Sequence, residues 1–184
     1  MEKRGVAGSQ AVTASREYLV FLGGQPLGDK PLLARIITSA FFLSHDIRRD
    51  VALRLIYPES RIRISLLGAR LRHIHVDEQS LSGVLRRIER AALSPPQRVL
   101  SPHPGVLVEP INRLIVSDAC LLVDTRAPWL SRSHVDCNYS CFVISAGSSP
   151  ENASSMRRVR VTAFPKPVDT ILIVLNIELD RICS

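Results

Sequence analysis

The chain has 184 residues, enough for one domain with a sizeable core, and its 46% hydrophobic content marks it as globular rather than disordered. Lys and Arg outnumber Asp and Glu by 24 to 17, giving a net charge of +7 and a pI near 9.8. That balance suits a polyanionic partner, nucleic acid first, although a merely soluble basic surface gives the same number. The longest apolar run, Thr170 to Leu175 with its flanks, is too short to cross a bilayer, and no apolar signal segment opens the chain. A cytoplasmic protein without a membrane partner is the expectation.

In chain order, residues 1–15 read as a flexible basic tail and 16–184 as a single domain. Tyr18 to Leu22 is a buried strand ended by Gly23-Gly24. From Lys30 to Leu43, Leu32, Leu33, Ile36, Ile37, Ala40 and Phe41 recur at helical spacing, with Pro31 in the first turn. Val51–Tyr57 and Arg61–Leu67 follow as strands. Asp77 or Ser80 would cap a helix whose inward stripe is Leu81, Val84, Leu85, Ile88 and Ala92. Its outer Arg86, Arg87 and Arg90 form either a solvated face or a phosphate contact. Ser101-Pro102-His103-Pro104-Gly105 reads as a rigid turn before a strand at Val106–Val108, and a short helix is expected around Ile111–Ile115.

The last third holds near-continuous apolar runs at Ala119–Asp124, Cys141–Ile144 and Val159–Ala163, the pattern of parallel strands covered on both faces. Val168–Leu179 is ambiguous in period, and its β-branched part, Thr170–Leu175, reads by itself as a strand. Strands alternating with helices make the chain α/β with a mainly parallel sheet. Cys120, Cys137, Cys141 and Cys183 have no CxxC spacing, and two lie in apolar runs, which favours buried, reduced thiols over zinc or disulfides. His73 and His75 lack a third metal ligand nearby, so no metal is expected. Ser44-His45-Asp46 is a triad in letters only, because consecutive residues cannot adopt relay geometry. No glycine-rich nucleotide loop occurs.

The most telling stretch is Phe41 to Val51, the seam between a helical and a strand pattern. It carries His45, Asp46, Arg48, Arg49 and Asp50 within six positions. The residues alone put first a capped loop whose acids pair with its arginines. The other reading is a site: Arg48 and Arg49 forking onto phosphate, with Asp46 and Asp50 accepting from the N–H groups of a base.

Ala40 to Val51, AFFLSHDIRRDV, strongly resembles the archaeal tRNA pseudouridine-54 N1-methyltransferase family. Val76-Asp77-Glu78, Ser101 to Val108, Phe142-Val143-Ile144, Val161 to Pro165 and Leu179-Asp180-Arg181-Ile182-Cys183 are similar, in order, to its later motifs. The resemblance implies a SPOUT-class fold: a mainly parallel sheet with helices on both faces, and a trefoil knot in the C-terminal third that makes the ambiguous last segment a helix. It implies S-adenosylmethionine as cofactor, tRNA as substrate and a homodimer. Cofactor-binding positions carried over are Val123, Asp124, Ile144, Ser145, Gly147, Val161, Thr162, Ala163, Phe164, Pro165 and Ile171. Asp46 and then Asp50 become the catalytic acids, with His45, Arg48 and Arg49 at the substrate and Arg86, Arg87, Arg90, Arg157 and Arg158 steering RNA. Both seam arginines are expected to hold those acids ionised. Ser145-Ala146-Gly147 stands where the family has Gly-Asp-His, and Thr170 or Ile171 where it has a cysteine. The alternative is a non-catalytic RNA-binding or assembly protein with the same fold and a degenerate cofactor site.

Overall fold

Alternating burial sets the strands, and the positions that break each alternation set their ends. The computed structural model describes residues 14–43, 46–74, 78–93, 97–113 and 115–183. The strands are β1 (Arg16–Leu22), β2 (Val51–Tyr57), β3 (Ile62–Leu67), β4 (Leu100–His103), β5 (Val106–Pro110), β6 (Leu121–Val123), β7 (Ser140–Ala146) and β8 (Arg158–Val159). The helices are α1 (Lys30–Phe41), α2 (Glu78–Ala92) and α3 (Val168–Cys183). They build one eight-stranded sheet in the order β4-β5-β3-β2-β1-β7-β6-β8. The five strands from β2 to β8 in that order run parallel, whereas β3, β5 and β4 continue the sheet antiparallel.

The sheet separates two cores. Tyr18, Val20, Leu53, Leu55, Phe142 and Ile144 face the first, and every apolar helical stripe packs there: Ile36 and Ile37, Leu81 and Leu85, Leu172 and Leu175. Leu19, Phe21, Ile56, Leu122 and Val143 face the second, which no helix covers. Ile111, Val116 and Met156, all in irregular segments, close it instead. Asn152 staples two of those segments, accepting from Val116 N at 3.1 Å and donating to Val116 O at 2.9 Å. The expectation of helices on both faces is thus corrected: among the described residues all three share one face. The near-continuous apolar strands do have two dry sides, but coil supplies the second. Further along that side the strands turn polar. Arg54 bonds Glu17 and, at 3.1 Å, Ser65, while Glu109 accepts from Arg63 at 2.9 Å and Ser65 at 3.1 Å.

Local expectations fare unevenly. The α1 helix starts at Lys30 with Pro31 in its first turn, as its sequence predicts, and the structure adds a cap in Asp29, whose Oδ1 accepts from Leu32 N at 2.9 Å. The last segment is helix rather than strand. Its β-branched run is outweighed by burial of Val168, Leu172, Leu175 and Leu179 along one stripe. Asn176 fixes its depth: Oδ1 accepts from buried Tyr18 Oη at 2.8 Å, and Nδ2 donates to Ser39 O at 3.0 Å. Ser101–His103 is strand, hairpinned to β5 through Pro104-Gly105. Residues 111–113 and 115–117 are not helical, and β8 has only two residues. Asp77, proposed as a cap, lies outside the described residues.

The cysteine expectation is also overturned. Cys120, just before β6, bonds Cys141 of β7 with Cα atoms 4.5 Å apart, and Cys137 bonds Cys183 at a Cα distance of 5.5 Å. Each pair is distant in sequence, 21 and 46 residues, which is why spacing did not reveal it. Replacing Cys137 and Cys183 together by Ser is expected to lower unfolding stability by about 4 kcal/mol on the chain-entropy account, read by urea denaturation with and without reductant. A second test concerns Gly68, whose added Cβ would lie 2.2 Å from Arg48 O and 2.9 Å from Val51 O. Gly68→Ala should cost about 2–3 kcal/mol by overpacking, seen as a lowered Tm.

Candidate functional site

The seam between α1 and β2 is held by the ends of other elements. Backbone bonds from Arg48 N to Phe41 O (2.7 Å) and from Leu43 N to Asp46 O (2.9 Å) turn the chain back on itself. Ser44 and His45 lie outside the described residues. Asp46 is the exposed acid, its side chain 70% open. One carboxylate oxygen accepts from Ile47 N at 2.6 Å, with Arg49 Nη2 3.8 Å away. Asp50, partly exposed, meets Arg16 Nε and Ser15 Oγ, each at 3.1 Å.

The pairing of seam acids with seam arginines that the sequence suggests holds for Asp46 and Arg49, whereas Arg48 and Asp50 take partners from other elements. Arg48 forks onto Asp180, near the C-terminal end of α3, at 3.0 and 2.6 Å. Arg16 Nη1 lies 2.7 Å from the same carboxylate. Arg49 donates to Leu71 O at 2.7 Å and Gly68 O at 3.3 Å, closing the single helical turn after β3. Partial burial pushes the Asp180 carboxyl upward, but the hydrogen bonds from Arg48 and Arg16 outweigh it and hold the group below the ordinary carboxylate range. Asp180 and Arg16 are therefore the residues that sequence reasoning missed as parts of this cluster. Asp180 lies 132 positions from Arg48, and no local pattern links them.

The positions expected to bind cofactor gather elsewhere. Val123 and Asp124, Ile144 to Gly147, and Val161 to Pro165 follow the C-terminal ends of the adjacent parallel strands β6, β7 and β8. Crevices at such ends are the usual ligand positions of open α/β sheets. Gly147 has φ +92 and abuts Gly23 of the β1 turn, a conformation that lets backbone approach backbone closely. Asp124 accepts from Arg126 N at 2.9 Å and from Arg158 at 2.7 Å, the backbone bond first and the guanidinium second holding its pKa low. Thr162 Oγ1 donates to Phe164 O at 2.9 Å, and Phe164 is exposed. Ile144 and Val161 are buried, so they form floor rather than contacts, and Ile171 stands in the first turn of α3. Arg86, Arg87 and Arg90 lie exposed on the outer face of α2.

The two groups sit at opposite ends of the parallel strands. The seam enters β2 beside the start of β1, where Arg16 N bonds Asp50 O, whereas the donor loops leave the far ends of parallel strands. Seven residues of strand separate the ends, about 20 Å at ~3.3 Å per residue. Asp46 and Gly147 of one chain do not meet.

Residues 1–116 match a family described as "Putative SAM-dependent RNA methyltransferase". The chain belongs to that family. Curated relatives carry the name tRNA (pseudouridine(54)-N(1))-methyltransferase. The protein of Methanocella arvoryzae is 33% identical over 107 residues, covering 56% of this chain and 54% of the relative. That of Haloarcula marismortui is 37% identical over 82 residues, covering 45% and 40%. The chain spans about half or less of the length of these relatives. Among solved structures, Archaeoglobus fulgidus Nep1 bound to S-adenosylhomocysteine aligns with a TM-score of 0.54 over 83% of this chain and 70% of that one. At 11% identity, the likeness is one of fold. The family match takes in the whole seam and ends before the donor loops.

Asp180→Asn tests the ion cluster. Because the folded carboxyl titrates below its unfolded value, its stabilisation is full at neutral pH and fades as the pH falls through the ordinary Asp range and below. The variant should lose about 1 kcal/mol at pH 7, kept small because Asp180 is nearly half exposed, and less at pH 3, measured by urea melts at both.

Proposed function

We propose that the chain is an S-adenosylmethionine-dependent RNA methyltransferase that methylates N1 of pseudouridine in tRNA, at position 54 by likeness to its relatives. The observation that carries the reading is the family match across residues 1–116, seam included, together with relatives named for that activity. Action on tRNA implies a cytoplasmic protein, and disulfides there have precedent in hyperthermophiles.

The parallel strand order β8-β6-β7-β1-β2, with α3 following β8, supports a SPOUT arrangement. A knot is supported by the 124–139 segment, which pairs with the outer side of β8 at Trp129 and then binds the C-terminal end of α3 through Arg132 and Cys137. A homodimer is supported by the distance between seam and donor loops: a second copy placing its seam against the first copy's donor loops completes two sites at once. Ile173 and Ile177, half exposed on α3, suit such packing.

The donor loops fit the cofactor in kind. Backbone at Val123–Asp124, Ser145–Gly147 and Thr162–Pro165 would hold its base and ribose, above the floor of Ile144 and Val161 and beside Ile171. When bound, S-adenosylmethionine supplies an electrophilic methyl group on a sulfonium. At the seam, Asp46 is the carboxylate open to solvent, and it accepts the N1 proton of pseudouridine or orients that edge of the base. Arg49, half exposed, and His45 flank the RNA, while Arg48 and Asp50 keep the seam in shape through Asp180 and Arg16.

The second reading, an RNA-binding protein without catalysis, is favoured by one observation: Ser145-Ala146-Gly147 and the other donor loops lie outside the family match. Calorimetric titration separates the two. Saturable heat with S-adenosylmethionine is expected, and none at near-millimolar cofactor sinks the enzyme reading. On tRNA transcripts, methylation should require pseudouridine, because in uridine the ring N1 is glycosidic. Asp46→Asn should lower turnover about 100-fold with cofactor affinity unchanged. Mixing Asp46→Asn chains with Ala163→Asp chains should restore activity through hybrid dimers; no recovery would mean the seam and donor loops of different chains do not combine.

A further inference from the structure

We infer that the outer edge of the sheet around Trp129 is a stacking site for single-stranded RNA, beside the donor loops. The inference rests on the reading of the chain as an RNA methyltransferase and gives that reading a contact away from the reacting base. Trp129 is the only tryptophan of the chain, and half of it is exposed. It is nonetheless held rigidly. Its backbone bridges to Arg160, with Arg160 N donating to Pro128 O at 2.7 Å and Leu130 N to Arg160 O at 2.8 Å. The Arg160 guanidinium lies 4.2 Å from the ring centroid. A ring fixed in this way loses little freedom when a base stacks on it.

The surroundings are cationic. No carboxylate among the described residues pairs with Arg160, and its buried Nε has no hydrogen-bond partner. Arg126, Arg157 and Arg158 are exposed nearby in the chain. Asp124 forms an ion pair with Arg158 and also lies within the field of Arg126, so one carboxylate faces these three exposed arginines. Asp124, Arg126, Ala127, Pro128 and Arg158 line an open depression of about 490 Å³, wide enough for a nucleotide, and Trp129 follows the lining residue Pro128 in the chain. Closing the edge of β8 needs only the backbone bonds at residues 128–130. It needs neither an open indole nor unpaired arginines. Stacking surface combined with free cations is the chemistry of single-stranded nucleic acid binding. An acidic protein surface would use the charge and leave the ring idle.

The lone tryptophan makes the test direct. Selective excitation of the full chain during titration with a single-stranded oligouridylate of about ten nucleotides should give saturable quenching that weakens with salt. Trp129→Leu should reduce affinity for labelled oligouridylate about tenfold. Arg126→Glu combined with Arg157→Glu, both on the surface, should reduce it at least as much and flatten the salt slope. The inference is overturned if quenching is absent, if polyglutamate quenches as well as RNA, or if both folded variants bind like the parent. Cofactor titration runs in parallel. Cofactor binding and methylation with a silent tryptophan would sink this site alone, whereas quenching without cofactor binding would keep the site and sink the enzyme reading.

Discussion

One carboxylate ties together three distant parts of this chain. Asp180, close to the end of the last helix, receives the fork of Arg48 from the seam and the charge of Arg16 from the start of the first strand. Arg16 in turn holds Asp50, so two acids and two bases alternate around the point where β1, β2 and α3 converge. Each charge is offset by a neighbour of the opposite sign, and the two arginines can be largely buried for that reason. Gly68 brings the turn after β3 against the backbone at Arg48 and Val51, with no space left over. The seam is therefore a rigid platform, and within it Asp46 is the most open of the acids.

The sheet offers two unlike faces. On one, three amphipathic helices bury a continuous apolar layer. On the other, coil segments and a ladder of paired charges, Glu17 with Arg54 and Glu109 with Arg63, cover or solvate the strands. At the C-terminal ends of the parallel strands, the loops are held by backbone bonds such as Gly23 N to Ala146 O at 3.1 Å.

Where sequence reasoning succeeded, the determinant was local. Periodicity located α1 and the strands β1, β2 and β3, because each carries its own pattern of burial. It misread Thr170–Leu175, where β-branched side chains favour a strand but a stripe spaced for a helix had a core to enter. Family resemblance corrected that segment by supplying the tertiary context. It also missed both disulfides and the partner of Arg48, since pairings across 21, 46 and 132 positions leave no trace in spacing. For the candidate site, charge density made the seam conspicuous in the sequence. What no sequence pattern expressed was its position, at the end of the parallel strands away from the donor loops.

The pairing of residues 128–130 with Arg160 has a consequence for how copies of this chain can associate. It takes up the backbone N–H and C=O of Arg160, the residue just after β8, so coil of the same chain covers the sheet where its last strand ends. At the other end, β4 is four residues long and contains Pro102, which lacks a backbone donor. With one rim capped and the other blunted, the sheet is closed to growth by strand addition, which also guards against aggregation. The helix-bearing face, by contrast, keeps Ile173 and Ile177 exposed.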